Sequence, residues 1–344
     1  MPTDQRIVVL APNWLGDVVM ALPAIRDLRR HFAQAHLTIA ARSSVAKVFG
    51  AVPGVDDVLT FKGKKHEIAQ LKAGRFDNAV LFPNSFRSAW IVWRAGIPQR
   101  WGYRSDFRRP LLTNAVRRPK QRVHFGKYYQ ELVRQLGVEN GPLAPKIELP
   151  VSVVEASRAL LEKRGWVPSR PLIGIAPGAA FGHAKRWPAT RFAALIAMAR
   201  ADLDAVCVLI GRDGDRDASQ AIEDALKNDR HLVINLVGHT ELVPFMGVIA
   251  NCSALVSNDS GALHLAAAMG IPVVAIYGPT SEQFSTPLTS QEGASHRVAT
   301  ISEDVFCRPC WLRECPIDHR CMKRIAPERV YASLRQLLQQ ETHA

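Results

Sequence analysis

Ser257-Asn258-Asp259-Ser260-Gly261-Ala262-Leu263-His264 lies between two apolar runs, Ala254-Leu255-Val256 before it and Val273-Val274-Ala275-Ile276-Tyr277 after it. The first run has the length and composition of a buried strand, and Ser260 to Met269 reads as a short helix. An acid, a hydroxyl and a glycine therefore stand where a strand hands over to a helix N-terminus. In open α/β sheets that edge is where ligands bind. The unpaired N–H groups of a helix N-terminus also attract anions such as phosphate. His264 follows Ser260 by four residues, about one turn further and on the same face.

Outward from this junction the pattern repeats. Leu172 to Ala176, Ala205 to Ile210, Leu232 to Leu236, Ala254 to Ser257 and Val273 to Tyr277 read as strands. Ala189 to Ala201, Asp215 to Lys227 and Leu242 to Cys252 have helical spacing between them. The amino-terminal half alternates in the same way. Its strands are Ile7 to Ala11, Leu37 to Ala41, Asp57 to Phe61 and Asn78 to Phe82, and a long helix runs from Asp17 to Phe32 with Pro23 in its second turn. Such alternation implies βαβ units and a parallel sheet. A stretch rich in glycine and proline, Val138 to Pro150, separates the halves. The expected architecture is α/β: two Rossmann-like, doubly wound domains, 1–150 and 151–325, facing each other across a cleft. A last segment, 326–344, holds an amphipathic helix with Val330, Leu334, Leu337 and Leu338 on one face, placed to pack back on the first domain.

The 344 residues exceed one ordinary core, and 47% hydrophobic with 22% charged residues excludes a disordered chain. No apolar run approaches the roughly 18 residues that span a bilayer. The N-terminus enters a strand almost at once and lacks the regions of a secretory signal, so a cytoplasmic location is expected. The net charge of +13 is uneven. Between Asn84 and Arg134, twelve arginines and lysines stand against Asp106 and Glu131. That field suits a polyanion: nucleic acid, an anionic membrane or a phosphorylated substrate. It equally suits a solvated basic face. The nucleic-acid reading asks for aromatic residues among the arginines, and Trp90, Trp93, Trp101 and Tyr103 are there. It leaves the loops around Lys185 and Asp259 without a purpose.

Four other segments follow strands and carry chemistry. Asn13-Trp14-Leu15-Gly16-Asp17 comes after the first. Gly16 permits a tight turn, and Asp17 reads either as a helix cap or as a general base at the carboxyl edge of the sheet. Pro177 to Pro188 (PGAAFGHAKRWP) is glycine-rich, ends before a helix and holds Lys185 and Arg186 side by side. It suits a diphosphate without being a P-loop. Gly211 to Asp217 offers Asp215 and Asp217, as ribose-binding acids or, more simply, as the acids of a helix N-terminus. Gly278-Pro279-Thr280-Ser281 adds a turn and two hydroxyls. Cys207 and Cys252 sit among apolar residues as core thiols, whereas Cys307, Cys310, Cys315 and Cys321 are clustered around His319. For that cluster a structural zinc or iron, redox pairing and free thiols all stay open.

Taken together these segments resemble the bacterial lipopolysaccharide heptosyltransferases, and among them the members that extend a first heptose. The stretches that carry the resemblance are Asn13 to Asp17, Leu81 to Ala89 (LFPNSFRSA), Ala95-Gly96-Ile97-Pro98, Pro177 to Pro188, Ser257 to His264 and Tyr277-Gly278-Pro279-Thr280. Pro-Asn-Ser-Phe-Arg-Ser and Gly-His-Ala-Lys-Arg-Trp-Pro are the most specific. The resemblance implies a GT-B fold, with acceptor on the first domain and nucleotide sugar on the second. It implies inverting transfer of L-glycero-D-manno-heptose from ADP-heptose to the first heptose of a heptosyl-Kdo-lipid A acceptor, with no catalytic cofactor. The enzyme would work in the cytoplasm, peripherally at the inner face of the membrane and not on nucleic acid. Another heptosyltransferase, or a GT-B enzyme with a different donor or acceptor, is the nearest alternative.

The resemblance makes Asp17 the base and Lys185 the group that stabilises departing ADP. Gly178, Arg186, Asp259, Ser260, Gly261, His264, Gly278 and Thr280 join Lys185 in binding the donor. Asn13, Gly16, Asn84, Ser85 and Arg87 are the expected acceptor residues. The chemistry agrees with these roles. A sugar hydroxyl is a poor nucleophile and needs a carboxylate to take its proton, and leaving ADP gains charge that a lysine and a helix N-terminus offset.

Overall fold

The computed structural model describes residues 5–290 and 294–342 and divides into two units, Met1–Glu148 and Leu149–Ala344. The first unit runs β1 Arg6–Leu10, α1 Leu15–His31, β2 His36–Arg42, α2 Ser43–Ala46, β3 Asp57–Phe61, α3 Glu67–Ala73, β4 Asn78–Leu81, α4 Phe86–Arg94, β5 Gln99–Tyr103, β6 Asn114–Val116 and α5 Phe125–Gln135. Its six parallel strands lie in the order β3-β2-β1-β4-β5-β6. Helices cover both faces of such a sheet, which explains why the central strands are apolar throughout rather than alternating. Ile7, Val8, Val9 and Leu10 are all buried.

The second unit repeats the plan. It runs α6 Val151–Lys163, β7 Leu172–Ala176, α7 Ala189–Leu203, β8 Val206–Leu209, α8 Arg216–Leu226, β9 Val233–Asn235, α9 Leu242–Ala250, β10 Ala254–Asn258, α10 Gly261–Ala268, β11 Val273–Tyr277, α11 Glu282–Ser285, β12 Val298–Ser302, α12 Arg320–Lys323 and α13 Pro327–Thr342. The sheet order β9-β8-β7-β10-β11-β12 has the same winding as the first. β10 is central, with Leu255 paired to Gly174 on one side and to Val273 on the other. In each unit the winding reverses between two adjacent strands, β1 and β4 in the first, β7 and β10 in the second. Helix connections diverge there and leave a crevice at the carboxyl ends of the strands.

The apolar side of α13, Val330, Leu334 and Leu337, is buried with Phe192 and Ile196 of α7 and with β10 to β12. One expectation changes. Gly16 forms no turn, because α1 begins at Leu15 and includes it. Pro23 lies within α1, which continues to His31.

Candidate functional site

The reversal point of the second unit is built by Asn258, the last residue of β10 and fully buried. Its Nδ2 donates to the Pro177 carbonyl at 2.7 Å, and its Oδ1 accepts from the Trp187 amide at 3.0 Å. One side chain thereby ties both ends of the loop after β7 to the loop after β10. Trp187 anchors the far end: it is buried edge-on against Phe192, and its indole N–H donates to the Ile325 carbonyl.

Between these ties Lys185 reaches Asp259. Its ammonium lies 2.6 Å from Asp259 Oδ2, and the Thr280 hydroxyl donates to the same oxygen at 2.7 Å. His264 Nε2 stands 3.8 Å from the other oxygen. Asp259 is only 6% exposed. Burial by itself would raise its pKa, but the Lys185 ammonium and the His264 ring outweigh burial and hold the carboxyl well below its usual range. The Lys185 ammonium also lies 5.1 Å from the centre of the Phe181 ring. His264 is itself buried, and its Nδ1 has no hydrogen-bond partner among the described residues. Ser260 is the N-cap residue of α10, and its hydroxyl meets Ser257 Oγ at 3.0 Å.

Arg186 points elsewhere. Its guanidinium sits 2.5 Å from Asp217 and 3.6 Å from Asp215. Asp215 is buried against Gly178, where a Cβ would come within 2.2 Å of the Asp215 carboxyl carbon. Burial pushes the Asp215 carboxyl above its ordinary value against the pull of Arg212 and Arg186. Gly278 is required for a similar reason, since a Cβ there would meet Met322 Sδ at 2.5 Å. The two adjacent cations thus serve different loops.

In the first unit, Asp17 lies in the first turn of α1, after β1. The N-cap residue is Trp14, so Asp17 is not the cap; a carboxylate in the first turn is favoured by the helix dipole. The Asp17 charge also helps raise the Tyr129 hydroxyl, after the larger effect of burial. Asn13 is exposed beside it. The loop after β4 is held from within. Asn84 Nδ2 donates to the Tyr128 hydroxyl at 2.9 Å, and Ser85 caps α4 by accepting from the Ser88 amide at 3.3 Å. Arg87 pairs with Glu67 at 2.5 Å and keeps 42% of its side chain exposed.

The chain matches known proteins over nearly its whole length. A family model described as glycosyltransferase family 9 (heptosyltransferase) matches residues 66–319. This chain belongs to glycosyltransferase family 9. Lipopolysaccharide heptosyltransferase 2 of Escherichia coli K12 is 31% identical over 98% of this chain and 99% of its own length. Lipooligosaccharide heptosyltransferase 2 of Haemophilus ducreyi is 30% identical over 97% and 99%. The solved structure of Escherichia coli ADP-heptose LPS heptosyltransferase II has a TM-score of 0.85 at 30% identity, covering 98% of this chain and 100% of that one. A family 9 glycosyltransferase from Veillonella parvula shares the fold at a TM-score of 0.81 and 23% identity, covering 99% of both chains. The expected GT-B fold, two parallel six-stranded sheets with flanking helices, is therefore correct.

Within this family 9 chain, the segment of clustered cysteines has a role that spacing did not reveal. Arg308 Nε donates to the Gly278 carbonyl at 2.6 Å, and its Nη2 donates to the Thr280 carbonyl at 2.9 Å and to Glu282 at 2.7 Å. The Ala184 amide donates to the Arg313 carbonyl at 2.9 Å, and His319 Nε2 meets the Ala184 carbonyl at 2.7 Å. The segment braces both loops that flank Asp259. A zinc or iron at Cys307, Cys310, Cys315 and Cys321 does not fit. Among the described residues no three His, Cys, Asp or Glu side chains are arranged to hold a metal ion, and the four cysteines are free. His319, the extra candidate ligand, is turned onto the Ala184 backbone, and Cys321 is buried in the core beside Met322.

Sequence reasoning also missed Asn258 and Arg108. Arg108 is fully buried and forms no ion pair with a carboxylate among the described residues. It donates to the Tyr103 and Pro83 carbonyls and to Ser88 Oγ, at 2.8, 2.5 and 2.9 Å, and burial lowers its guanidinium to about 10. Counted by charge it looked like one more surface arginine.

Proposed function

We propose that this chain transfers L-glycero-D-manno-heptose from ADP-heptose to the first heptose of a heptosyl-Kdo-lipid A acceptor, with inversion. The observation that carries the reading is the Lys185–Asp259–Thr280 cluster at the reversal point of the second unit. It joins a cation, a buried acid and the N-terminus of α10 at the edge where α/β sheets hold nucleotides. Asp17 takes the proton of the acceptor hydroxyl as that oxygen bonds to the anomeric carbon. The bond from the anomeric carbon to the diphosphate oxygen breaks on the opposite face, and ADP leaves with the electron pair. Lys185 and the N–H groups at the start of α10 stabilise the charge that ADP gains. Asp259 positions Lys185 and accepts hydrogen bonds; it is not the base, because its carboxyl is already committed to Lys185 and Thr280. Gly178, Gly278, Arg186, Ser260, Gly261 and His264 complete the surroundings of the donor. Asn13, Gly16, Asn84, Ser85 and Arg87 shape the acceptor side. The enzyme works peripherally at the inner face of the cytoplasmic membrane, where its acceptor is anchored.

The test is a transfer assay with ADP-heptose and a mono-heptosylated Kdo-lipid A acceptor. Asp17→Asn is expected to lower turnover by about 10²- to 10⁴-fold while ADP affinity measured by calorimetry stays unchanged. Near-normal turnover in that variant would remove Asp17 as the base. Lys185→Ala is expected to weaken donor binding, and unchanged donor affinity would take Lys185 out of the diphosphate site.

A further inference from the structure

Three aromatic side chains stand exposed at the carboxyl edge of the first sheet. Trp14 follows β1 and is 50% exposed, Phe86 follows β4 at 44%, and Phe107 follows β5 at 96%. β1, β4 and β5 are neighbours in the sheet, so the three rings follow adjacent strands at one edge and make a row by strand order. Soluble proteins scatter single apolar residues over their surfaces, but three exposed rings after three adjacent strands mark a contact.

The Phe107 ring is held outward at a cost. Asp106 and Phe107 both adopt left-handed backbone, at φ 48° and 54°, where a bulky L-residue is strained. The surroundings fix them there. The Asp106 carboxylate accepts from the Phe86 amide at 2.5 Å, Ser105 Oγ donates to the Asn84 carbonyl at 2.9 Å, and buried Arg108 donates to the Pro83 carbonyl and Ser88 Oγ. The loops bearing Phe86 and Phe107 are therefore one stitched unit, and its only acid is spent on a backbone amide.

The same edge is strongly basic. Arg104, Arg109, Arg117, Arg118 and Lys120 are exposed on the connections after β5 and β6, and Asp106 is the sole acid between Gln99 and Arg122. Aromatic rings settle at the boundary of headgroups and acyl chains, and arginines beside them gain from an anionic leaflet. Neither a solvated basic face nor a purely electrostatic site calls for exposed rings aligned with the cations.

We infer that this row, with Phe107 at its tip and Arg104 and Arg109 beside it, docks the chain on an anionic lipid surface. The inference rests on the proposed lipid-linked acceptor, because the same edge carries Asp17 and Asn84. Phe107 enters the interface and the arginines meet lipid phosphates, which brings the acceptor loops to the leaflet that holds the substrate.

Co-sedimentation with vesicles of phosphatidylglycerol and phosphatidylcholine, against phosphatidylcholine alone, tests it. The whole chain is expected to bind only the anionic vesicles. Phe107→Ser should weaken that binding about tenfold, and each of Arg104→Gln and Arg109→Gln about fivefold. Exposed side chains are chosen so that the fold is kept. In the transfer assay, Phe107→Ser should retain turnover on a deacylated acceptor in solution and lose it on acceptor embedded in vesicles. Vesicle binding unchanged by all three substitutions overturns the inference. So does a Phe107→Ser variant whose KM for the deacylated acceptor rises, since the row would then be a sugar site. Oligonucleotide binding without vesicle binding overturns it as well. Vesicle binding that depends on these residues, in a chain that transfers no heptose to any acceptor, would instead sink the proposed activity and leave the surface standing.

Discussion

Asp259 and Lys185 bury opposite charges at one point, and their energetics are asymmetric. Bringing two ions out of water costs nearly what their attraction returns, whereas removing one partner leaves the other buried and unpaired. Lys185 is 13% exposed at its side chain, so its ammonium finds little water without moving. Asp259→Asn is expected to destabilise the second unit by about 3 kcal/mol in urea unfolding at neutral pH. Adding Lys185→Met in the same chain should recover much of that loss. A double variant no more stable than Asp259→Asn would show that the charge pair is not the cause. The pH dependence has a definite sign. The native carboxyl of Asp259 is more acidic than in the unfolded chain, where it titrates near about 3.9. Its stabilisation is complete above that value and disappears as the pH falls below it toward the native value. The wild-type chain should therefore lose stability more steeply than Asp259→Asn below about pH 4.

At the scale of elements, the brace over the donor loops is set by contacts that the sequence does not display. Arg308 holds the Gly278–Thr280 turn by two backbone carbonyls and Glu282 by its carboxylate. Arg308→Ala frees that turn, and with it the Thr280 hydroxyl on Asp259. It is expected to weaken ADP binding about tenfold, with a stability loss of only about 1–2 kcal/mol. Unchanged ADP affinity by calorimetry would separate the brace from the donor site. The central strands and their following loops were legible because a strand buried on both faces is a bare apolar run. The long helices between them were legible by their period. β5, β6 and β12 were not. β5 is Gln-Arg-Trp-Gly-Tyr, β6 has three residues, and β12 is half exposed, so none forms an apolar run. α4 and α5 escaped because they fall within the stretch dominated by charge, where the arginines drew attention to partners rather than to period. At the site, sequence order brought Lys185 and Asp259 to the same edge. It gave no sign that Asn258 ties the ends of the Lys185 loop, because one buried amide leaves no pattern, and no sign that Arg186 turns away to Asp215 and Asp217.

For the molecule as a whole, each unit has a core of its own. One cluster of buried residues spans Val8 to Leu112 and another spans Ile173 to Leu337, each drawn from a single unit. Everything proposed to hold the donor belongs to the second unit, from Gly178 through Thr280 to the Arg308 brace. α6 belongs to it too. Gly247 of α9 lies so close to α6 that a Cβ would meet Ser157 Oγ at 2.1 Å, and Asn251 donates to the Val154 carbonyl at 3.0 Å. α13 completes the same core with Val330, Leu334 and Leu337. A unit with its own core and its own termini is expected to fold alone. The fragment 149–344 should therefore unfold in a single cooperative urea transition and bind ADP within about threefold of the full chain. It should transfer no heptose, because Asp17 is absent. A shorter fragment starting after α6 should be less stable by several kcal/mol, since it uncovers α9. If 149–344 is unfolded while the full chain is stable, the second unit depends on the first. If it folds without binding ADP, the first unit supplies part of the donor site, and the roles given to Lys185 and Asp259 would need residues from both.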